Sequence, residues 1–147
     1  MAYIPKDAGW YIAQIVLEIT VGGEAQNIIH INYLLVRADS PEQAYDRALQ
    51  MGAQHETTYD NEEAKPVKIV FCGLRNLTVV YEKLEDGAEL LYEEKLGVSA
   101  DTLTALVRPK ERLAVFSPIE RSPGPNYASA QVEREARDLI ERAARCT

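Results

Sequence analysis

Two histidines, two cysteines and 23 carboxylates are the side chains with which this chain could do chemistry. A metal site needs several His, Cys or carboxylate ligands to converge. Neither His30 nor His55 has a second ligand at helical or strand spacing, so no metal site is expected. The run "HETTYDNEE" offers carboxylates to a cation but lacks the fixed spacing and turn glycine of a calcium loop, and it reads as a solvated acidic loop. Cys72 follows an apolar strand, where a buried structural thiol is the expectation; as a nucleophile it would need His30 as its base. Cys72 and Cys146 stand in no metal or redox spacing, and two reduced thiols are favoured over a lone bridge. "VGGEAQ" joins two strands and does not open a helix, so it is no phosphate loop. Glu93 and Glu94 would point to opposite faces of a strand and cannot act as an acid–base pair. No catalytic, cofactor or metal residue is therefore assigned, and the expectation leans away from an enzyme.

The elements that would position these residues are clearer. From Trp10 to Val21 the chain alternates, with Tyr11, Ala13, Ile15, Leu17, Ile19 and Val21 on one apolar face. Ile29, Ile31, Tyr33 and Leu35 repeat the pattern after a "GGEAQN" hairpin loop. If both apolar sets share one face, odd residues must lie opposite odd ones, since a slip of one turns a set over. The pattern then changes to a helix. Ser40 is its N-cap, Pro41 its first residue and Gln43 stands three after the cap. Ala44, Tyr45, Ala48, Leu49 and Met51 make its stripe, and Gly52 is placed to stop it. Residues 53–66 read as a loop.

Further strands are expected at 67–71, at 77–84 and, after the Asp86-Gly87 turn, along "AELLYEEKL". The turn has two or three residues; the three-residue form sets Lys83 opposite Glu89. "SADTLTALV" suggests a short helix capped by Ser99 and barred from continuing by Pro109. "RLAVFS" suggests one more short strand. "SPIERSPGPN" reads as a linker or arm, and the tail as an amphipathic helix. On that helix Val132, Ala136, Leu139, Ile140 and Ala143 lie on one side, with Glu133/Arg137, Asp138/Arg142 and Glu141/Arg145 paired on the other. The expected class is α+β: an antiparallel sheet in a β-β-α-β-β-β core, one capped helix packed on it, and a C-terminal helix. An α+β domain over 1–117 and an arm with its helix over 118–147 are the expected parts.

With odd opposite odd, the hairpin's second face carries Trp10, Ile12, Gln14, Val16, Glu18 and Thr20 beside Ile28, His30, Asn32, Leu34 and Val36. So many large apolar groups form a patch seldom left uncovered on a monomer. Three covers are open: the C-terminal helix of the same chain, a second copy, or a small ligand in a pocket. The second gives a dimer that buries Trp10, Ile12, Val16 and Leu34, with an exchanged arm.

"WYIAQIVLEI", "NYLLVRADSPEQAYDRALQMG" and "FCGLRNLTVVYEKLEDGAELLYEE" together resemble a family of small bacterial proteins known as domain of unknown function 4288, over roughly Trp10 to Glu94. The resemblance implies a compact bacterial α+β domain and brings no catalytic residue. The net charge of −7 argues against nucleic acid or an anionic membrane as the partner, since phosphate needs clustered Lys and Arg. No run approaches the ~20 apolar residues of a membrane span. "MAYIPKDAGWY" has no basic region followed by an apolar run, so no signal peptide is expected, and the location expected is cytoplasmic. The functional expectation is a non-catalytic domain acting through protein contacts, as a homodimer or an acidic, immunity-type or regulatory protein. Its acidic form rests on Glu82, Glu85, Asp86, Glu89, Glu93 and Glu94. The competing expectation is a small-molecule site or enzyme on the Trp10/Gln14/Glu18/His30/Asn32 surface.

Overall fold

The computed structural model describes residues 3–118 and 123–146, and of Glu133 the backbone alone. Part of the expected arm (residues 119–122) and the Glu133/Arg137 pair lie outside the described residues. Four antiparallel strands form one sheet: β1 (Trp10–Val21), β2 (Ile28–Arg37), β3 (Thr57–Asp60) and β4 (Pro66–Val79). Their order is β2-β1-β4-β3, which puts the first strand in the middle. Helix α1 (Pro41–Ala53) packs on this sheet, and α3 (Ala130–Arg145) ends the chain. The fold is α+β, as the alternation and the capped helix predict.

The chain forms two compact units: residues 1–90 with 124–147, and residues 91–123. The second unit holds α2 (Ala100–Leu106), capped by the Ser99 hydroxyl on the Thr102 N–H at 3.2 Å. A short 3-10 turn, Lys110–Arg112, follows it. The strand expected in "RLAVFS" is instead a run of turns, closed by Phe116 N–H to the Leu113 carbonyl at 2.9 Å.

Helix α1 begins as its sequence dictates. The Ser40 hydroxyl accepts from the Gln43 N–H at 3.1 Å, and the Gln43 side-chain oxygen, Oε1, accepts from the Asp39 N–H at 2.6 Å. Two otherwise free donors at the helix start are satisfied in this way. Its end differs from expectation. The helix runs through Gly52 to Ala53, so Gly52 does not stop it. A Cβ at that position would lie 2.4 Å from the Phe71 ring of β4. Glycine therefore serves the close approach of helix to strand, not the cap.

One sheet face carries the core in two clusters. At one end Tyr11 and Ala13 of β1 and Val36 of β2 pack under Ala44 and Ala48 of α1, flanked by Leu74, Leu77 and Val79. At the other end Ile19, Val21 and Val67 are buried, with Ile28, Tyr59, Ile69 and Tyr127 against them. Tyr127 belongs to the segment before α3, so the C-terminal part of the chain closes this half of the core.

The β1–β2 register overturns the expected parity. Leu17 lies opposite His30, Ile15 opposite Asn32 and Ala13 opposite Leu34, so odd residues of β1 face even residues of β2. Cross-strand partners share a face, and the core face of β2 is therefore Ile28, His30, Asn32, Leu34 and Val36. Because β2 is apolar in both alternating sets, its own pattern specifies the register weakly. Val36, fully buried beneath α1, is what anchors it.

Two further strand expectations change. Residues 57–60, expected in a loop, form β3 at the sheet edge. The two strands expected at 67–71 and 77–84 are one strand, β4, whose alternation is broken twice. Its register on β1 shifts between Gln14 and Ile15 and again between Val16 and Leu17, leaving Arg75 and Cys72 as extra residues. Such bulges bend a strand and re-aim a side chain. Gly73, at φ +141°, supplies the backbone conformation between them. Beyond Val79 the expected hairpin is a turn without strand pairing among the described residues. Ala88 N–H donates to the Glu85 carbonyl at 3.0 Å, and the Glu82 carboxylate accepts from the Glu89 N–H at 2.8 Å.

Candidate functional site: an interaction surface

The expected site residues divide between the two faces. Trp10, Ile12, Gln14, Val16 and Glu18 lie on the face away from α1, and His30, Asn32 and Leu34 lie on the core face. The composite surface of Gln14, Glu18, His30 and Asn32 is not assembled. His30 instead meets Tyr127 edge-on, with ring centroids 5.1 Å apart. Asn32 lies between Ile28, which packs at the Tyr127 end, and Val36, which packs under α1.

On the outer face, β1's even residues are joined by Ile29, Ile31, Tyr33 and Leu35 of β2. Ile12 and Gln14 are buried, at 4% and 7% exposure. The exposed apolar area lies to one side, on β2: Ile29 is 50%, Tyr33 49% and Leu35 46% exposed. Arg75, the extra residue of the first bulge, folds over this face. Its Nε donates to the Gln14 side-chain oxygen, Oε1, at 2.7 Å and its Nη2 to the Tyr33 hydroxyl at 2.7 Å. The guanidinium carbon also stands 5.9 Å from the Tyr33 ring centroid. Arg75 thus holds Tyr33 upright and satisfies a buried amide oxygen, a role that the alternation of β4 hid. An isolated glycine inside a strand pattern, here in "CGLRN", is the signal that could have found it.

Charge is distributed along the same face. Arg37, at one end of β2, lies 5.8 Å over Trp10. At the other end Glu18 accepts a hydrogen bond from the Asn27 side-chain amide at 2.7 Å. Of the three covers left open, the C-terminal helix does not bury its apolar side chains on this face. Helix α3 presents Val132, Leu139 and Ile140 to solvent, each more than half exposed. Its approach is anchored on the core face, and Arg137 ties the helix itself to Glu62.

That anchor is built around Asn61, a residue expected in a loop and here buried at 3% exposure. Its side-chain oxygen accepts from the N–H groups of Glu63 (3.0 Å) and Lys65 (2.9 Å), and its amide donates to the Asn126 carbonyl at 3.0 Å. The Tyr59 hydroxyl donates to the Tyr127 carbonyl. Burial, and then the neighbouring Tyr127 phenol, hold the Tyr59 pKa above its ordinary value. Arg137 of α3 meets Glu62 at 2.8 Å. An open hollow of about 690 Å³ lies beside this anchor, lined by Tyr59, Asp60 and residues 127–132.

Cys72 and Cys146 are both exposed free thiols, which corrects the expected burial of Cys72. Among the described residues no three His, Cys, Asp or Glu side chains gather as metal ligands, and no helix is long and apolar enough to cross a membrane. Of the acidic hairpin residues, Glu82 is engaged by the Glu89 backbone.

No curated protein and no solved structure matches the chain. A family model matches residues 10–92, more than half of the sequence and all four strands with α1. The chain belongs to that family, described as a domain of unknown function, DUF4288.

Proposed function

We propose that the protein is a non-catalytic interaction domain that self-associates through the β2 side of its outer sheet face. The observation that carries this reading is the group Ile29, Tyr33 and Leu35, each about half exposed on one strand while their β1 neighbours Ile12 and Gln14 are buried. Apolar side chains gathered on one strand, with a tyrosine pinned by Arg75, make a preorganised contact surface. Tyrosine and arginine are the residue types that concentrate at the centres of protein interfaces.

The competing small-molecule reading needed Gln14 and Glu18 to work with His30 and Asn32, and the register puts those pairs on opposite faces. Light scattering at tens of micromolar tests the favoured reading. The expected mass is twice the 16.5 kDa of the chain. Leu35→Glu, which adds a charge to a half-exposed position, should return it to one chain while leaving the circular dichroism unchanged. A wild type that scatters as a single chain at that concentration overturns the proposal.

A further inference from the structure

Strand β2 is an edge, and it lacks the usual protections. From Ile28 to Val36 it has no proline and no lysine, and its pairing with β1 is continuous, without a bulge. A long apolar edge is a template for another strand. The opposite edge is guarded: β3 has four residues, ends in Asp60 and leads into Asn61-Glu62-Glu63. Two edges of one sheet are thus treated differently, and the apolar exposure lies on the unguarded one.

Resting on the self-association proposed above, we infer that the partner surface is β2 itself, paired antiparallel with β2 of a second copy about a two-fold axis perpendicular to the sheet. Such an axis keeps each face continuous across the seam, so partners must share parity. The register that places Asn32 opposite Asn32 of the second copy pairs Ile29 with Leu35 and Ile31 with Tyr33 on the outer face. On the core face it pairs His30 with Leu34 and Ile28 with Val36. Every exposed apolar residue of β2 then meets an apolar one, and the central carboxamide meets its twin. Moving the register by two, to centre on Tyr33, would set Asn32 against Leu34 and lose that match.

The charges agree with the same register. Arg37 comes opposite Asn27 of the second copy, whose amide holds Glu18. Each copy therefore brings a cation to the other's anion, twice over, which an antiparallel two-fold provides and a parallel pairing does not. The Arg37 carbonyl is already taken by Arg47 of α1, so the seam closes at that point. A stable dimer buries more than ~1,000 Å², and the half-exposed Ile29, Tyr33 and Leu35 add apolar side-chain area to that of the paired strand edges.

A cysteine at the self-paired position reads the seam directly. Opposed residues of an antiparallel pair have Cα atoms about 4.5–5.5 Å apart, inside the roughly 4.4–6.8 Å range a disulfide spans. With Cys72→Ser and Cys146→Ser in place, Asn32→Cys should convert almost completely to a covalent dimer on mild oxidation. Leu34→Cys and His30→Cys, tested singly, should cross-link poorly, and mixed together they should cross-link well. Hydrogen exchange on the wild type needs no substitution: amides of 28–36 should become more protected as protein concentration rises. A wild type dimeric by light scattering, yet with neither the Asn32→Cys cross-link nor that protection, overturns the edge seam and leaves self-association standing. A monomeric wild type overturns both.

Discussion

Single atoms set the fit of helix to sheet at Gly52. A methyl group there would lie 2.4 Å from the Phe71 ring, closer than real contacts allow, so the ring must swing away. Alanine would otherwise favour the helix by ~1 kcal/mol, and overpacking costs ~1–3 kcal/mol. Gly52→Ala should therefore lower stability by about 1 kcal/mol, read as a lower urea midpoint. In a Phe71→Leu background the same change should be neutral or stabilising, since the conflict is between that pair. Tyr59 gives the pH counterpart. Its pKa is raised by burial and by Tyr127, so the folded state holds the phenolic proton more tightly than the unfolded chain does. Its contribution is fully present below pH ~10 and is lost as pH rises through the higher folded value. Lys65, raised chiefly by its hydrogen bonds to Glu24 and Glu63, acts in the same direction. Thermal stability should fall on the alkaline side, and Tyr59→Phe should make that fall shallower. An unchanged alkaline limb would mean that the fold does not hold the Tyr59 phenol above its ordinary value.

At the scale of elements, α1 is fastened by its first turn and the C-terminal segment by the β3–β4 turn. Ser40→Ala removes the acceptor of the Gln43 N–H and should cost about 1 kcal/mol. A urea midpoint unchanged within error would contradict it. Asn61 has two separable jobs. Asn61→Asp keeps an oxygen for the Glu63 and Lys65 N–H groups but loses the donor to the Asn126 carbonyl. A buried acceptor left facing a carboxylate costs on the order of 1–3 kcal/mol. The amides of Ala128 to Val132 should exchange faster in this variant while those of β1 keep their protection. Uniform loss of protection would show that the anchor and the sheet unfold together.

For the whole molecule the question is how a four-stranded sheet with one helix packed on it completes itself. Its core face is closed at one end by α1 and at the other by Tyr127, which returns from beyond residues 91–123. Among the described residues the outer face has no such closure on its β2 side, which is why self-association is the reading proposed. The family match covers the sheet and α1 and stops short of Tyr127 and α3, so the anchor joins Tyr59 and Asn61 of the matched part to a segment beyond it.

Local patterns in the sequence determined β1, β2, the start of α1, the cap of α2 and the C-terminal helix. In each, a period of two or 3.6 or a Ser-based cap acts within a few residues of chain. What the tertiary structure decided was everything that depends on a distant partner. Strand β2 is apolar in both alternating sets, so packing against distant partners, Val36 under α1 and Ile28 in the cluster with Tyr127, chose which set faces the core, and with it the division of the expected site residues between two faces. Strand β4 looked like two strands because its extra residues, Cys72 and Arg75, break alternation; their register exists only against β1. Tyr59 and Asn61 read as loop residues because the carbonyls they donate to, at Tyr127 and Asn126, lie 68 and 65 residues further along the chain. Alternation records which side of a strand is apolar, whereas pairing with another strand fixes which way that side turns.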